Sequence, residues 1–219
     1  EEGLLGLGPG GNGTGRLGFK ARAGQGAEKL IDNYEFKGAT LASEAKSEHR
    51  LLYATGRLSR PVHLSGTSSI RIKVSSSQPA ANLSVWLVSL PWTKGGRTND
   101  NLISRGWADP QNHESLRESK PLEPGKFYEL SFDFQPDDQV IPVGQRIGLM
   151  IFSSDKDFTL WPKPGTELTV ELGATSIELP VVGGPRALRR ATTPKRRRLS
   201  APGVPIHHPL LRTNGLGGF

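Results

Sequence analysis

KFYELSFDF, residues 126–134, alternates strictly: Tyr128, Leu130, Phe132 and Phe134 fall on one side of an extended chain, Phe127, Glu129, Ser131 and Asp133 on the other. Successive side chains of a strand point to opposite faces, so the stretch reads as a β-strand with one apolar and one wet face. Moving outward, SIRIKVSS (69–76) repeats the pattern, with Ile70, Ile72 and Val74 set against Arg71, Lys73 and Ser75. IGLMIF (147–152), within QRIGLMIFSS (145–154), is apolar on both faces, as a central strand must be. PVHLSG (61–66), NLSVWLVSL (82–90), ELTVEL (167–172) and SIELPVV (176–182) complete a series of short strand candidates.

The spacers EPGK (123–126), QPDDQVIPVGQ (135–145) and KPGT (163–166) carry Pro and Gly where turns need a fixed or positive φ. Helical signals are short, near ATLASEAKSEH (39–49) and ESLRES (114–119). Many short antiparallel strands with long loops predict an all-β fold, a two-sheet β-sandwich of jelly-roll type. Residues 33–183 form the expected sandwich. Residues 1–32 are Gly-rich and read as a disordered linker or lead-in, and residues 184–219 as a disordered basic tail rich in Pro and Arg.

Charge follows that division. The net charge is +7, yet from Gly184 onward there are eight basic residues and no acid, which leaves 20 basic against 21 acidic groups in residues 1–183. The basicity belongs to the tail, where KRRR (195–198) lacks interleaved aromatics, so nucleic acid is not the expected partner. The composition break at Gly184 also admits a foreign or frame-shifted extension. With no cysteine, disulfides and thiolate metal sites are excluded. No apolar run approaches a membrane span, so no membrane partner is expected, and compartment is left open. The chain begins with Glu1 rather than Met, the expectation for a fragment of something longer.

The usual chemical motifs fail. G-x-G-x-x-G occurs as Gly6-Gly8-Gly11 and Gly13-Gly15-Gly18, but neither copy lies between a strand and a helix, where such glycines hold a pyrophosphate. No serine sits in a G-x-S-x-G elbow. The five histidines have no nucleophile placed for activation. Asp109, His113 and Glu114 do not have metal-ligand spacing. The sequence predicts no catalytic residue, cofactor or metal. Trp86, Trp92, Trp107 and Trp161 read as core or interface packing ahead of a sugar-stacking platform.

ANLSVWLVSLPW (81–92), ISRGWADPQNHESL (103–116), PLEPGKFYELSFDFQPDDQVIPVGQRIGLMIFSSD (121–155), FTLWPKPGTELTV (158–170) and LPVVGG (179–184) together resemble one known domain. It is the C-terminal domain of the Xaa-Pro dipeptidyl-peptidases, related to that of cocaine esterase and the α-amino-acid ester hydrolases. The likeness covers about residues 51–184. It implies a galactose-binding-like jelly roll that follows an α/β-hydrolase domain, the expected partner. The serine-hydrolase triad of such enzymes, which release N-terminal X-Pro dipeptides, belongs to that other domain, and no position here matches its motifs. The resemblance therefore implies a non-catalytic packing, substrate-access or oligomerisation module, with a homo-oligomer left open. Arg105, Trp107, Asp109 and Asn112 are the candidate interface to the catalytic domain. A free-standing carbohydrate-binding module and tail-mediated nucleic-acid binding stand as alternatives.

Overall fold

The computed structural model describes residues 3–7, 14–20, 26–94 and 97–193, the first of these segments as backbone. Strands run in chain order as β1 (Gly3–Leu7), β2 (Gly15–Lys20), β3 (Ala27–Ile31), β4 (Arg50–Ala54), β5 (Val62–Gly66), β6 (Ser69–Ser76), β7 (Leu83–Leu90), β8 (Leu102–Ala108), β9 (Phe127–Asp133), β10 (Asp137–Ile141), β11 (Arg146–Phe152), β12 (Glu167–Glu171) and β13 (Ser176–Leu179). Two short helices, α1 (Gly38–Ser43) and α2 (Gly184–Thr192), flank them.

The fold is an all-β sandwich. In one layer β6 carries β9 along one edge; its other edge pairs first with β13 and then with β12, which are extended by β2 and β3 respectively. In the other layer the order is β4-β11-β7-β8. β1 joins the layers, antiparallel to β2 and parallel to β4, and β5 with β10 forms a separate two-stranded ribbon.

Alternation explains the core. Ile70, Ile72 and Val74 of β6, Leu130 of β9 and Leu168 and Val170 of β12 share one cluster with Val85 and Leu87 of β7 and Ile147, Leu149 and Ile151 of β11. Burying each such side chain contributes about 1.5–3 kcal/mol. The opposite faces of β7 and β11 are buried as well. Trp86, Val88, Leu90, Met150 and Phe152 pack with Leu52 and Ala54 of β4 under Leu41 and Ala42 of α1. That second core is why IGLMIF is apolar on both sides, and β11 is central, between β4 and β7. On β9, Tyr128 and Leu130 are buried while Phe127 is 37% exposed, the one large apolar group on the wet face. Gly125, Gly144 and Gly165 take positive φ in the three predicted turns.

Four readings change, the first being that QPDDQVIPVGQ (135–145), expected as a spacer, contains β10. Residues 15–20 and 27–31, expected in a linker, are sheet strands, because Leu17 and Leu30 reach the core at alternate positions and Phe19 packs edge-on against Tyr53. A Cβ on Gly15 would lie 2.5 Å from Leu188 Cδ2, so a glycine there marks close packing rather than a loose chain. Residues 184–192, expected in the tail, form α2, which buries Leu188 and Ala191. Its C-terminal carbonyls, Arg190 O and Ala191 O, both lie 3.0 Å from Ser59 Oγ and share its single proton. The remainder of the tail, residues 194–219 with KRRR, lies outside the described residues. Finally, the helix near 39–49 ends at Ser43, and ESLRES forms turns: its polar side chains offer no apolar stripe to bury.

Candidate functional site

β8 runs antiparallel to β7 with Arg105 opposite Trp86 and Trp107 opposite Ser84, so the two candidate side chains share a face. Trp86 lies below them, 1% exposed and edge-on to Phe152 with centroids 5.6 Å apart. The loop after β11 returns over this face. Its Phe158 ring stacks on Trp107 at 5.3 Å, and the Arg105 guanidinium lies 4.8 Å from the Trp86 centroid and 5.0 Å from that of Phe158. Such cation–π contacts hold the guanidinium between the buried Trp86 ring and the half-exposed Phe158 ring. Three residues on, Trp161 stacks on Tyr34 at 5.8 Å. Phe158, Leu160 and Trp161 are nonetheless 54%, 85% and 62% exposed.

Asp155 anchors the loop. Its backbone carbonyl accepts from Phe158 N at 2.8 Å and Thr159 N at 2.9 Å, and its Oδ1 accepts from Gly38 N at the start of α1 at 3.1 Å. The side chain is buried. Desolvation raises its pKa above the usual aspartate value, opposed by the bond from Gly38 and by the positive charge of Arg105. Among the described residues, Asp155 Oδ2, Trp86 Nε1, Trp107 Nε1 and Asn112 Oδ1 are buried without a hydrogen-bond partner.

Asp109 and Asn112 do different work. Asp109 is extended, as a residue before proline should be, with φ −92° and ψ 111°. Its Oδ1 accepts from Gln111 N at 2.9 Å and caps the 3₁₀ turn of residues 110–112. Asn112 donates its backbone N–H to Asp109 O at 2.9 Å, while its Oδ1 is among the unpartnered atoms. Thus Arg105 and Trp107 join the aromatic array, and Asp109 with Asn112 shapes the turn that follows. Sequence reasoning named Trp161 only as one of four tryptophans for core or interface packing, and missed Phe158, Tyr34, Gly38 and Asp155. A signal for Phe158 was present: FTLW (158–161) is an apolar run outside any strand candidate.

Elsewhere, a serine, an aspartate and a histidine do meet, on the β5–β10 ribbon. His63 Nε2 is 2.9 Å from Asp138 Oδ1, and Ser65 Oγ donates to Asp138 Oδ2 at 2.7 Å. The bond to His63, and then that from Ser65, lowers the Asp138 pKa. Both partners point at the carboxylate, so the imidazole is not the acceptor of the serine proton, and this is no activated nucleophile. Among the described residues no cluster of three or more His, Cys, Asp or Glu could hold a metal ion.

Known proteins complete the picture. The solved α-amino acid ester hydrolase shares the fold, with a TM-score of 0.60 at 17% identity over 76% of this chain and 34% of its own. An aminopeptidase from a Thaumarchaeota archaeon gives 0.58 at 18% identity over 83% and 37%. In sequence, a protein of Rhodopirellula baltica assigned as a Xaa-Pro dipeptidyl-peptidase is 62% identical over 159 residues, 72% of this chain and 25% of that protein. The Xaa-Pro dipeptidyl-peptidase of Lactobacillus delbrueckii subsp. lactis is 26% identical over 77% of the chain. The chain thus spans about a quarter of the length of the curated relatives it matches. Because the pattern described as the X-Pro dipeptidyl-peptidase C-terminal non-catalytic domain matches residues 6–198, both lines of comparison converge, and the chain belongs to that family.

Proposed function

We propose that this domain is a docking and substrate-access module of a serine Xaa-Pro dipeptidyl-peptidase that releases N-terminal X-Pro dipeptides. In this reading the array built on Arg105 and Trp107, with the turn of Asp109 and Asn112 beside it, faces the α/β-hydrolase domain. One observation carries the reading: Phe158, Leu160 and Trp161 expose large apolar surface within four residues, over the rings and unpartnered polar atoms described above. Soluble proteins seldom leave such a patch open unless a partner covers it. A covering domain would bury the exposed rings of Phe158 and Trp161.

The test is to express the catalytic part of the Rhodopirellula baltica relative and titrate it with this chain. Trp161→Ser and Phe158→Ser should each weaken association at least about tenfold, the loss of a buried aromatic anchor, with melting unchanged. Unchanged affinity in both variants would sink the proposal. The chain alone should show no serine-inhibitor-sensitive turnover of an X-Pro chromogenic substrate. The glycan-binding alternative has an exposed ring, Trp161, stacked on the half-buried Tyr34, in its favour. Glycan binding lost in Trp161→Ala would support it in place of docking.

A further inference from the structure

The outer face of the β6 layer carries an ordered polar pattern. Strand pairing puts Arg16 of β2, Glu178 of β13, Ser69 of β6 and Asp133 of β9 in one row across the sheet. Two residues along the strands, Ser176, Arg71 and Ser131 form the next row. Side chains two apart share a face, and the residues between these rows, Leu17, Ile177 and Ile70, point the other way into the core. A cleft of about 600 Å³ lies over both rows. Its floor crosses three strand spacings of ~4.8 Å, so it runs about 14 Å across the sheet. Leu116, 91% exposed in the loop between β8 and β9, lines the cleft as well.

Two guanidinium groups, Arg16 and Arg71, balance two carboxylates, Asp133 and Glu178, so the cleft favours neither an anion nor a cation. Its hydrogen-bonding capacity is largely unspent. Arg16 Nη2 donates to Ser176 Oγ at 2.9 Å, which leaves the serine proton and the other guanidinium N–H groups for a ligand. Arg71 Nε stands 3.5 Å from Glu129 Oε1 with both side chains more than half exposed, a pair of little strength. Among the described residues, neither Asp133 nor Glu178 takes part in a hydrogen bond or ion pair through its side chain.

We propose that this cleft binds a short neutral oligosaccharide. A sugar hydroxyl both donates and accepts, so neighbouring hydroxyls are matched by a carboxylate set beside a guanidinium or a serine. Each carboxylate here has such a cross-strand neighbour: Glu178 lies between Arg16 and Ser69, and Asp133 beside Ser69. Leu116 offers an apolar contact to the C–H face of a ring. A peptide fits less well, because it binds an open strand edge through its backbone, and these groups stand on the face of strands already paired. The site lies on the layer opposite the Arg105 array and rests on neither the docking reading nor the family assignment.

Amide spectra of the isotope-labelled chain are recorded with cellotetraose, xylotetraose, mannotetraose and galactotetraose in turn. Each is taken to about 10 mM, roughly tenfold above the dissociation constant of a weak, millimolar site. At least one should shift the amides of Ser69, Arg71, Ser131 and Glu178 in a saturable way, while those of β7 and β11 stay in place. Asp133→Ala and Glu178→Ala should each weaken that binding about tenfold, the loss of a hydrogen bond to a charged group. Unmoved β7 and β11 amides in both variants confirm that they fold as the parent does. No shift with any of the four sugars would overturn the proposal, as would an affinity unchanged in both variants. Shifts confined to Tyr34, Phe158 and Trp161 would overturn it in favour of the stacked rings, and shifts at the cleft given by an X-Pro peptide but by no sugar would assign the face to peptide instead.

Discussion

Gly38→Ala tests whether the second core sets the position of the candidate site. A Cβ at residue 38 would stand 2.1 Å from Trp86 Cζ2, 2.6 Å from Cη2 and 2.7 Å from Cε2. Ordinary contact needs ~3.5–4.0 Å, so ring and helix must part by about 1.5 Å. Trp86 has nowhere to go: it is 1% exposed, edge-on to Phe152 and covered by Arg105. α1 must therefore lift, and its first N–H then leaves Asp155 Oδ1, now 3.1 Å away. Overpacking costs about 1–3 kcal/mol, and a lost hydrogen bond to a charged group about 1.5–3 kcal/mol. The two are partly alternatives, since lifting the helix relieves the clash, so the expected loss is about 2–4 kcal/mol. In a domain of this size that corresponds to a fall in Tm of roughly 5–15 °C. Urea unfolding followed by tryptophan emission reads it directly. Gly18→Ala is the control: nothing lies within 4 Å of its added Cβ, and its midpoint should stay within about 0.5 kcal/mol of the parent. A Gly38→Ala midpoint as close as the control's would refute the argument.

Asp155 binds more protons folded than unfolded, because its folded pKa is raised above 3.8. Its contribution to stability therefore falls as pH rises through the window from the unfolded to the folded pKa, and stays low above it. Asp155→Asn keeps an acceptor for Gly38, so its stability relative to the parent should climb as pH rises through that window; a difference flat in pH, or shrinking, refutes the assignment. Leu188→Ala should cost about 2–5 kcal/mol in urea unfolding, since the side chain is 1% exposed and part of the main core. A cost below about 1 kcal/mol would return α2 to the tail. Ser65→Ala should leave fluorophosphonate labelling at the background of the parent chain, since Asp138 rather than His63 holds the serine proton; labelling that depends on Ser65 would make that group a nucleophile after all.

The strands legible in the sequence were those whose burial is decided within the strand itself. KFYELSFDF and SIRIKVSS alternate because one face is wet, and IGLMIF is uniformly apolar because α1 covers its second face. The strands that escaped notice owe their state to distant partners. β2 reads as loose glycine-rich chain until β13 pairs with it and Leu188 fills the space above Gly15. β10 reads as a spacer until β5 supplies its ladder. The candidate site likewise owes its form to distant partners. Arg105 and Trp107 were singled out through the family resemblance alone; that they lie in a strand and share a face follows only from the pairing of β8 with β7, as residues 102–108 were not among the strand candidates. Phe158 and Trp161 show as an apolar run, but their place in the array does not: the Asp155 anchor, a contact with α1 more than a hundred residues earlier in the chain, fixes where their loop lies.

That anchor also bears on why the exposed rings and the orphaned polar atoms occur together. A buried donor or acceptor without a partner costs about 1–3 kcal/mol, a large fraction of a domain stability of about 5–15 kcal/mol. Trp86 Nε1, Trp107 Nε1, Asn112 Oδ1 and Asp155 Oδ2 all belong to or adjoin the same array. Hydrophobic packing beneath it does not require them: Trp86 and Phe152 would fill the second core equally well as rings without a polar edge. What the polar atoms add is directionality, since an indole N–H or a carboxylate oxygen can be satisfied only from certain positions. In the proposed docking reading the exposed rings would supply the area, and the buried polar edges would fix the arrangement of the array itself, so that it presents one orientation to a neighbouring domain. β7 and β11, buried on both faces, provide the rigid base that such an orientation needs.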